Sequence, residues 1–244
     1  FRHVWFAYEK DDYILKDISF VIEPGEKVAF VGATGAGKSS ILNLIGRYFE
    51  IQKGEILIDG VNIKDLSLHQ LRGAMSFVMQ DVFLFSDTIL ENVKLGKKDT
   101  LTLSSIKEAS RRAQASSFIE KMESQYDTVI GERGIGLSGG QKQRITIARA
   151  LARKAPVLVL DDSTSALDME TEQCIHDTLR ELKDTTKIII GHRISAVCHA
   201  DEILILENGQ IVERGTHDEL LAKKGHYYQT FVAQYGVPES EVIA

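Results

Sequence analysis

A glycine-rich segment that ends in a lysine and two serines is the first part of the sequence with recognisable chemistry. Residues 32–39 read GATGAGKS and match the phosphate-binding pattern G-x-x-x-x-G-K-[ST]. The glycines leave backbone amides open to phosphate oxygens, because no Cβ atom blocks the approach. Lys38 should reach the β- and γ-phosphates, and the Ser39 hydroxyl should take one Mg²⁺ position. The residues expected to hold a nucleotide here are Gly32, Ala33, Thr34, Gly35, Ala36, Gly37, Lys38, Ser39 and Ser40.

A pair of carboxylates at the end of an apolar run supplies a second chemical group. Residues 157–168 read VLVLDDSTSALD, so Asp161 and Asp162 follow a predicted buried strand. Carboxylate oxygens are ligands that Mg²⁺ prefers, usually together with substrate phosphates. A protein with a phosphate loop holds its Mg²⁺ at such a position, so the segment predicts a metal ligand.

A third motif, LSGGQ at residues 137–141, precedes an amphipathic helix pattern that reads KQRITIARAL. Its serine and glycines at a helix N-terminus would form an anion site from free amides, a hydroxyl and the helix dipole. Taken alone, the motif is better explained by Ser138 acting as an N-cap residue. The carboxylate segment about twenty residues later favours the anion site.

Short apolar runs alternate with helix-length segments along most of the chain, which predicts an α/β fold with a largely parallel sheet. Residues 86–137 break the alternation and indicate a helical lobe inserted between sheet strands. Asn208-Gly209 predicts a hairpin near the end of the chain. Strands are expected within 1–21 and at 27–31, 56–58, 75–79, 157–160, 187–190 and 202–206, and helices at 38–47, 140–153, 171–182 and 217–222.

The composition is that of an ordinary folded protein. The 244 residues carry a net charge of −6 and are 43% hydrophobic and 26% charged, which excludes disordered, collagen-like and coiled-coil classes. The acidic balance argues against a nucleic-acid partner. Cys174 and Cys198 cannot build a disulfide framework and indicate a reducing compartment. Because no apolar run reaches the length of a membrane span and the chain begins without methionine, we expect a cytoplasmic piece of a larger protein.

With these motifs in this order, the sequence resembles the nucleotide-binding domains of ABC exporters along nearly its whole length. Further motifs carry the resemblance. Tyr8 matches the aromatic residue that stacks on adenine, and Gln80 matches the Q-loop glutamine that contacts Mg²⁺. Residues 132–134 (ERG) look like the exporter loop that senses the transmembrane domains. Residues 165–168 match the D-loop, and His192 matches the switch histidine. Each of these residues alone has an ordinary structural explanation; their joint spacing favours the family.

The resemblance implies a fold, ligands and partners. The fold would be the α/β P-loop cassette, with a mostly parallel core, an N-terminal antiparallel β part and an inserted helical subdomain. The chain, 1–244, would be one nucleotide-binding domain, with a core of about 1–85 and 155–244 and a helical signature subdomain of about 86–154. ATP and Mg²⁺ would be the cofactors. The partners would be a second nucleotide-binding domain and transmembrane domains fused upstream, at the cytoplasmic face of the membrane.

The resemblance also assigns expected roles to individual residues. These are Asp162, His192, Lys38 and Gln80 for catalysis; Tyr8, Gln80 and the phosphate loop for the nucleotide; Ser39, Gln80 and Asp161 for the metal; Leu137, Ser138, Gly139, Gly140 and Gln141 for the ATP of a partner chain; and Asp168 in the D-loop.

One residue departs from the family pattern. After the metal-linked aspartate the family usually has glutamate, the general base that orients the attacking water, whereas this sequence has Asp162. Aspartate is one methylene shorter, which withdraws its carboxylate from a site built around glutamate. The departure resembles heterodimeric exporters, in which the chain with aspartate has a weak site and supplies an intact LSGGQ to its partner. We favour that interpretation over an engineered slow mutant and over a homodimer that tolerates aspartate.

The main expectation is therefore an ATPase domain that powers export through ATP-dependent dimerisation. Two alternatives stay open. One is a regulatory, nucleotide-gated subunit in which Asp162 leaves little hydrolysis. The other is a soluble ABC ATPase of DNA repair or translation, although such proteins usually carry long coiled-coil or tandem-cassette insertions. A small-molecule kinase with a phosphate loop does not fit, because it has no use for LSGGQ.

Overall fold

A computed structural model describes residues 1–10, 12–95 and 100–236, and the chain divides into two compact units. The first unit comprises Phe1–Gly73 and Thr186–Ala244, and the second comprises Ala74–Thr185. The finer boundaries of a helical subdomain at 86–154 stay a prediction. Among the described residues, no helix has both the length and the hydropathy that a membrane crossing needs.

Strands and helices alternate in both units. The first unit opens with β1 (Arg2–Ala7), β2 (Tyr13–Ile18), β3 (Lys27–Val31), α1 (Lys38–Ile45), β4 (Lys53–Glu55), β5 (Leu57–Ile58), β6 (Val61–Asn62) and α2 (Leu68–Gly73). The second unit contains β7 (Met75–Val78), α3 (Ile89–Lys94), α4 (Leu103–Arg112), α5 (Ser116–Ile119), α6 (Gly139–Ala152), β8 (Val157–Asp161) and α7 (Met169–Glu181). The first unit resumes with β9 (Thr186–Ile190), α8 (Ile194–Val197), β10 (Glu202–Glu207), β11 (Gln210–Gly215), α9 (His217–Lys223) and α10 (His226–Tyr235).

Parallel strand pairs dominate the sheet in both units. In the first unit, β3 pairs in parallel with both β10 and β9, and β11 adds an antiparallel edge beside β10. All five residues of β3 are buried, as expected of a parallel strand that is covered on both faces. In the second unit, β7 and β8 pair in parallel. The expected α/β class with a largely parallel sheet is confirmed.

The N-terminal β part is antiparallel, also as expected. β1 lies between β2 and β4 in a three-stranded sheet, and both of its pairings are antiparallel. Val4 and Phe6 of β1 and Leu15 and Ile18 of β2 are fully buried. The residues between them, including Trp5, are partly or fully exposed, as expected of a sheet with one covered face.

Helix α6 is central to the second unit. It contacts both α3 and α4. The apolar stripe of α6, with Ile145 and Ala148, is buried together with Val93 of α3 and Ile106 of α4. The described part of residues 86–137 consists of helices and turns, with one isolated β-bridge between Thr88 and Val129. The helical character predicted for this interval is therefore observed.

Two hairpins turn on residue pairs with left-handed backbones. Asn208 (φ 49°) and Gly209 (φ 80°) connect β10 to β11, which confirms the predicted hairpin. Asp59 (φ 50°) and Gly60 (φ 79°) connect β5 to β6. Positive φ at both central residues is typical of the type I′ turn, whose twist matches that of the flanking strands.

Candidate nucleotide-binding site

The phosphate loop connects the buried strand β3 to helix α1. Gly37 is the N-cap residue of α1 and has φ 105°, and Gly35 has φ 84° with open space where a Cβ atom would lie. Both are conformations that glycine adopts without strain. A Cβ atom at Gly32 would collide with the carbonyl oxygen of Leu206 in β10. The glycines of the motif are therefore required by the local backbone, and residues 33–35 are exposed.

The ammonium group of Lys38 is held inside the loop. Lys38 is only 5% exposed. Its Nζ donates to the carbonyl oxygens of Gly32 at 2.7 Å and Ala33 at 2.8 Å. Such bonds from a charged donor are stronger than neutral ones. The loop therefore concentrates positive charge and a helix N-terminus at one exposed turn, which is the arrangement that binds phosphate.

Tyr8 lies beside the first turns of α1. Its hydroxyl is 3.1 Å from Ser40 Oγ and accepts a hydrogen bond from Asn43 Nδ2 at 3.2 Å. The ring is half-exposed and makes edge-on contacts with Phe6 and Phe49. The predicted aromatic residue thus lies next to the phosphate-loop helix. Ser40 is buried, whereas the neighbouring Ser39 is exposed.

His192 follows the strand next to the phosphate loop. β3 and β9 are parallel neighbours, with Phe30 opposite Ile190, so the segments after them emerge at the same edge of the sheet. The His192 side chain is exposed. The backbone around His192 is held by the side chain of Gln234 in α10, which donates to the His192 carbonyl and accepts from the Ile194 amide.

The second unit brings Gln80 and the carboxylates to one edge in the same way. β7 and β8 pair with Val78 opposite Leu160. Gln80 follows β7 by two residues and is exposed, and Asp161 ends β8 and is 4% exposed. Asp162 comes next, partly exposed and with a left-handed backbone at φ 43°.

The LSGGQ motif forms the N-terminus of α6. Ser138 is the N-cap, with Gln141 N donating to Ser138 Oγ at 3.3 Å and Ser138 N donating to Gln141 Oε1 at 2.9 Å. This is a complete capping box. The structure thus assigns Ser138 and Gln141 a capping role. Ser138 and Gly139 are also exposed, as an anion site at this helix end requires.

Asp168 caps the next helix, α7. Its carboxylate accepts from the Thr171 amide at 2.9 Å and from the Thr171 hydroxyl at 2.8 Å. These two hydrogen bonds hold the pKa of the Asp168 carboxyl below its ordinary value. The role of Asp168 in a D-loop stays a prediction beside this observed cap.

Two polar residues of α6 belong to the site region but carry no motif signal. Gln143 is buried and bonds to Ser165 and Ala166, next to the carboxylates. Arg149 donates to the carbonyl oxygens of Asn92 at 2.8 Å and Phe83 at 3.1 Å, just past Gln80 in the chain. Burial lowers the pKa of Arg149 to about 10. In the sequence they are two of several polar residues in an amphipathic helix pattern, and their spacing does not set them apart.

Comparison with known proteins identifies the family. A family model described as ABC transporter matches residues 15–165. Two proposed multidrug export ATP-binding/permease proteins of Staphylococcus aureus, from strains NCTC 8325 and Mu50, are each 50% identical over 234 residues. The match covers 95% of this chain and 40% of each relative.

A solved structure of a bacterial Atm1-family ABC exporter with ATP bound has a TM-score of 0.93 and 41% identity to this chain. It covers 96% of this chain, which in turn covers 41% of that protein. The cassette fold expected from the sequence is confirmed by this likeness. From the family match and the shared fold together, this chain belongs to the ABC transporter family and forms a nucleotide-binding domain within it.

Proposed function

We propose that this chain binds and hydrolyses ATP to power export, as the nucleotide-binding domain of an ABC exporter. The observation that carries the proposal is the phosphate loop, where the ammonium of Lys38 lies within an exposed turn at the N-terminus of α1. The names of the Staphylococcus aureus relatives and of the Atm1-family structure support export rather than another use of ATP.

The first unit would bind the nucleotide. The amides of residues 33–37 and the ammonium of Lys38 would neutralise the phosphates, because an exposed helix N-terminus and a lysine both favour an anion. Tyr8 would stack on adenine, since its ring is half-exposed and its hydroxyl is hydrogen-bonded to Ser40 of the helix that begins at Lys38. His192 would contact the γ-phosphate from the neighbouring strand end.

The proposed metal ligands fit Mg²⁺ by their chemistry. Ser39, Gln80 and Asp161 offer a hydroxyl, an amide and a carboxylate, which are the hard oxygen ligands of this ion. Among the described residues, no group of three or more acidic, histidine or cysteine side chains is arranged to hold a metal ion. Mg²⁺ usually keeps water and substrate phosphates among its ligands. When bound, Mg²⁺ would neutralise charge on the phosphates.

Two chains would complete each ATP site. The exposed N-terminus of α6, with Ser138 and Gly139, would close on the phosphates bound by the other chain's Lys38 loop. Closure would exclude water from the phosphates and strengthen every charge interaction there. The transmembrane domains would lie upstream, and the domain would work at the cytoplasmic face of the membrane.

Asp162 would orient the attacking water, but poorly. Its side chain is one methylene shorter than that of the usual glutamate, which gives its carboxylate less reach from the same position after β8. We therefore favour a heterodimer, in which this chain has the slow site and its LSGGQ serves the faster site of the partner. A regulatory subunit with almost no hydrolysis is the second candidate function, favoured by the same residue.

Lys38→Ala tests the nucleotide site directly. Removing a charged donor from the phosphates should weaken ATP binding by about 10-fold or more and abolish turnover. Lys64→Ala is the matched control, because Lys64 is an exposed lysine of the same unit whose ammonium lies 3.9 Å from Glu50. ATP affinity and turnover in Lys38→Ala equal to those of the control would contradict the proposal.

The transporter assignment has its own test. A hydrophobic region of several membrane-spanning helices in the remainder of the full-length protein would support export. A full-length protein without such helices would instead favour a soluble ABC ATPase.

A further inference from the structure

The buried amide of Gln143 joins the signature helix α6 to the loop that follows β8. Gln143 is 3% exposed. Its Nε2 donates to Ser165 Oγ at 3.2 Å, and its Oε1 accepts from the Ala166 amide at 3.1 Å. A backbone N–H can only donate, so Ala166 fixes which end of the side-chain amide faces it. Both ends of this amide are thus bonded to adjacent residues of one loop.

Ser165 extends the contact to Asp162. Ser165 Oγ donates to the Asp162 carbonyl at 3.0 Å, and Ser165 N donates to the same carbonyl at 3.3 Å. Because Gln143 already donates to Ser165 Oγ, the hydroxyl proton is directed to the carbonyl. Asp162 has φ 43°, in the left-handed region that residues other than glycine seldom adopt, and the two Ser165 bonds hold its carbonyl in this conformation.

The first turn of α6 lies against the same loop. A Cβ atom at Gly140 would lie 3.0 Å from the Ala166 carbonyl oxygen, and one at Gly139 would lie 3.5 Å from Ala166 Cβ. The two glycines of LSGGQ therefore allow the helix to approach this loop closely. A displacement of the helix N-terminus would press on Ala166, the residue whose amide Gln143 binds.

We propose that Gln143 is a positioning residue that couples the LSGGQ motif of a chain to Asp162 of the same chain. The inference rests on the proposed function, in which LSGGQ contacts the partner's ATP while Asp162 serves the chain's own. Closure of LSGGQ on one ATP sets the direction of the Asp162 backbone through Gln143 and Ser165. The two ATP sites of a dimer are thereby coupled inside each chain, through hydrogen bonds of the second unit.

Amide hydrogen exchange tests the hydrogen bond between Gln143 and the Ala166 amide without requiring turnover. In Gln143→Met, which keeps the side-chain length but removes both hydrogen-bonding atoms, the Ala166 amide should exchange about 10-fold faster or more. Gln173→Met is the matched control, because Gln173 is an exposed glutamine on α7. If the Ala166 amide exchanges at an unchanged rate while global stability is also unchanged, Gln143 does not hold this loop and the proposal is wrong. If the wild-type chain does not hydrolyse ATP, the proposed function fails while this measurement still decides the role of Gln143.

A double-mutant cycle tests the coupling to Asp162. In the Asp162→Glu background, where the carboxylate should be a working base, Gln143→Met and Ser165→Ala should each lower kcat by about 10-fold with KM for ATP nearly unchanged, because neither touches the phosphate loop. If Gln143 and Ser165 act on Asp162 through the same chain of hydrogen bonds, the double variant should be about as slow as either single variant. If the kcat losses of the two single variants multiply in the double variant, the two residues act independently and the proposal is wrong. A single variant that loses stability but keeps kcat would also contradict it.

Discussion

Asp162 lies one residue beyond the buried end of β8, with its backbone carbonyl bonded to Ser165. A carboxylate acts on an attacking water only within hydrogen-bond reach, and a misplacement of about 1 Å can cost up to about 100-fold in rate. Local contacts hold the backbone of this residue, so a longer side chain is the direct way to extend its reach.

Asp162→Glu should therefore raise kcat by about 10-fold or more, the usual contribution of a positioned base. KM should change little, because the carboxylate acts mainly in the transition state. Asp162→Asn should cost little activity if the aspartate is already a poor base. Steady-state ATPase rates of the two variants decide the matter. No gain from glutamate with a large loss from asparagine would mean that Asp162 is a competent base.

Single residues were readable from the sequence where a motif fixed their spacing. Lys38 and Gly37 follow directly from the phosphate-loop pattern, since each has a unique backbone or charge requirement there. Gln143 and Arg149 were not readable, because a polar residue inside a helix pattern does not reveal which buried partner it binds. Their roles depend on the tertiary packing of α6, which spacing alone does not encode.

At the scale of elements, the N-terminus of α6 combines a capping box with an exposed surface. The two roles of Ser138 predict different mutant behaviour. Ser138→Ala removes the cap and should cost about 1 kcal/mol in stability, measured by denaturant unfolding. Ser138→Arg adds a bulky group at the exposed helix end and should also abolish turnover, because the partner's ATP could no longer approach.

ATP binding by the chain's own phosphate loop should survive in Ser138→Arg, since that loop belongs to the first unit. Nucleotide titration of this variant supplies the comparison. Normal turnover in Ser138→Arg would show that Ser138 is a cap and nothing more.

Strands and turns with a strong local sequence pattern were predicted correctly, whereas a helix that depends on tertiary contacts was not. The strand at 27–31 and the Asn208-Gly209 hairpin are observed as expected, because a continuous apolar run and a type I′ turn are both local features. Helix α10 (His226–Tyr235) was not expected, since its aromatic-rich pattern has no clear helical period. Its burial of Tyr227 and Tyr228 is a tertiary contact.

At the scale of the whole molecule, the residues proposed for the ATP site come from both compact units of the chain. The phosphate loop, Tyr8 and His192 lie in the first unit, whereas Gln80, Asp161 and the LSGGQ motif lie in the second. The sequence predicts the order of these parts through its family resemblance. It does not predict the partner, because dimerisation depends on surfaces that no short motif describes.

The most direct test of the account is the oligomeric state of the chain with and without ATP. Light scattering of the Asp162→Asn variant with Mg²⁺ should show a monomer without nucleotide and a weak dimer with ATP, because the facing phosphate loop and LSGGQ are joined only through the nucleotide. Ser138→Arg added to this variant should remain a monomer with ATP bound. A stable dimer in the absence of nucleotide, or a monomer that hydrolyses ATP at every protein concentration, would contradict an ATP site shared between two chains.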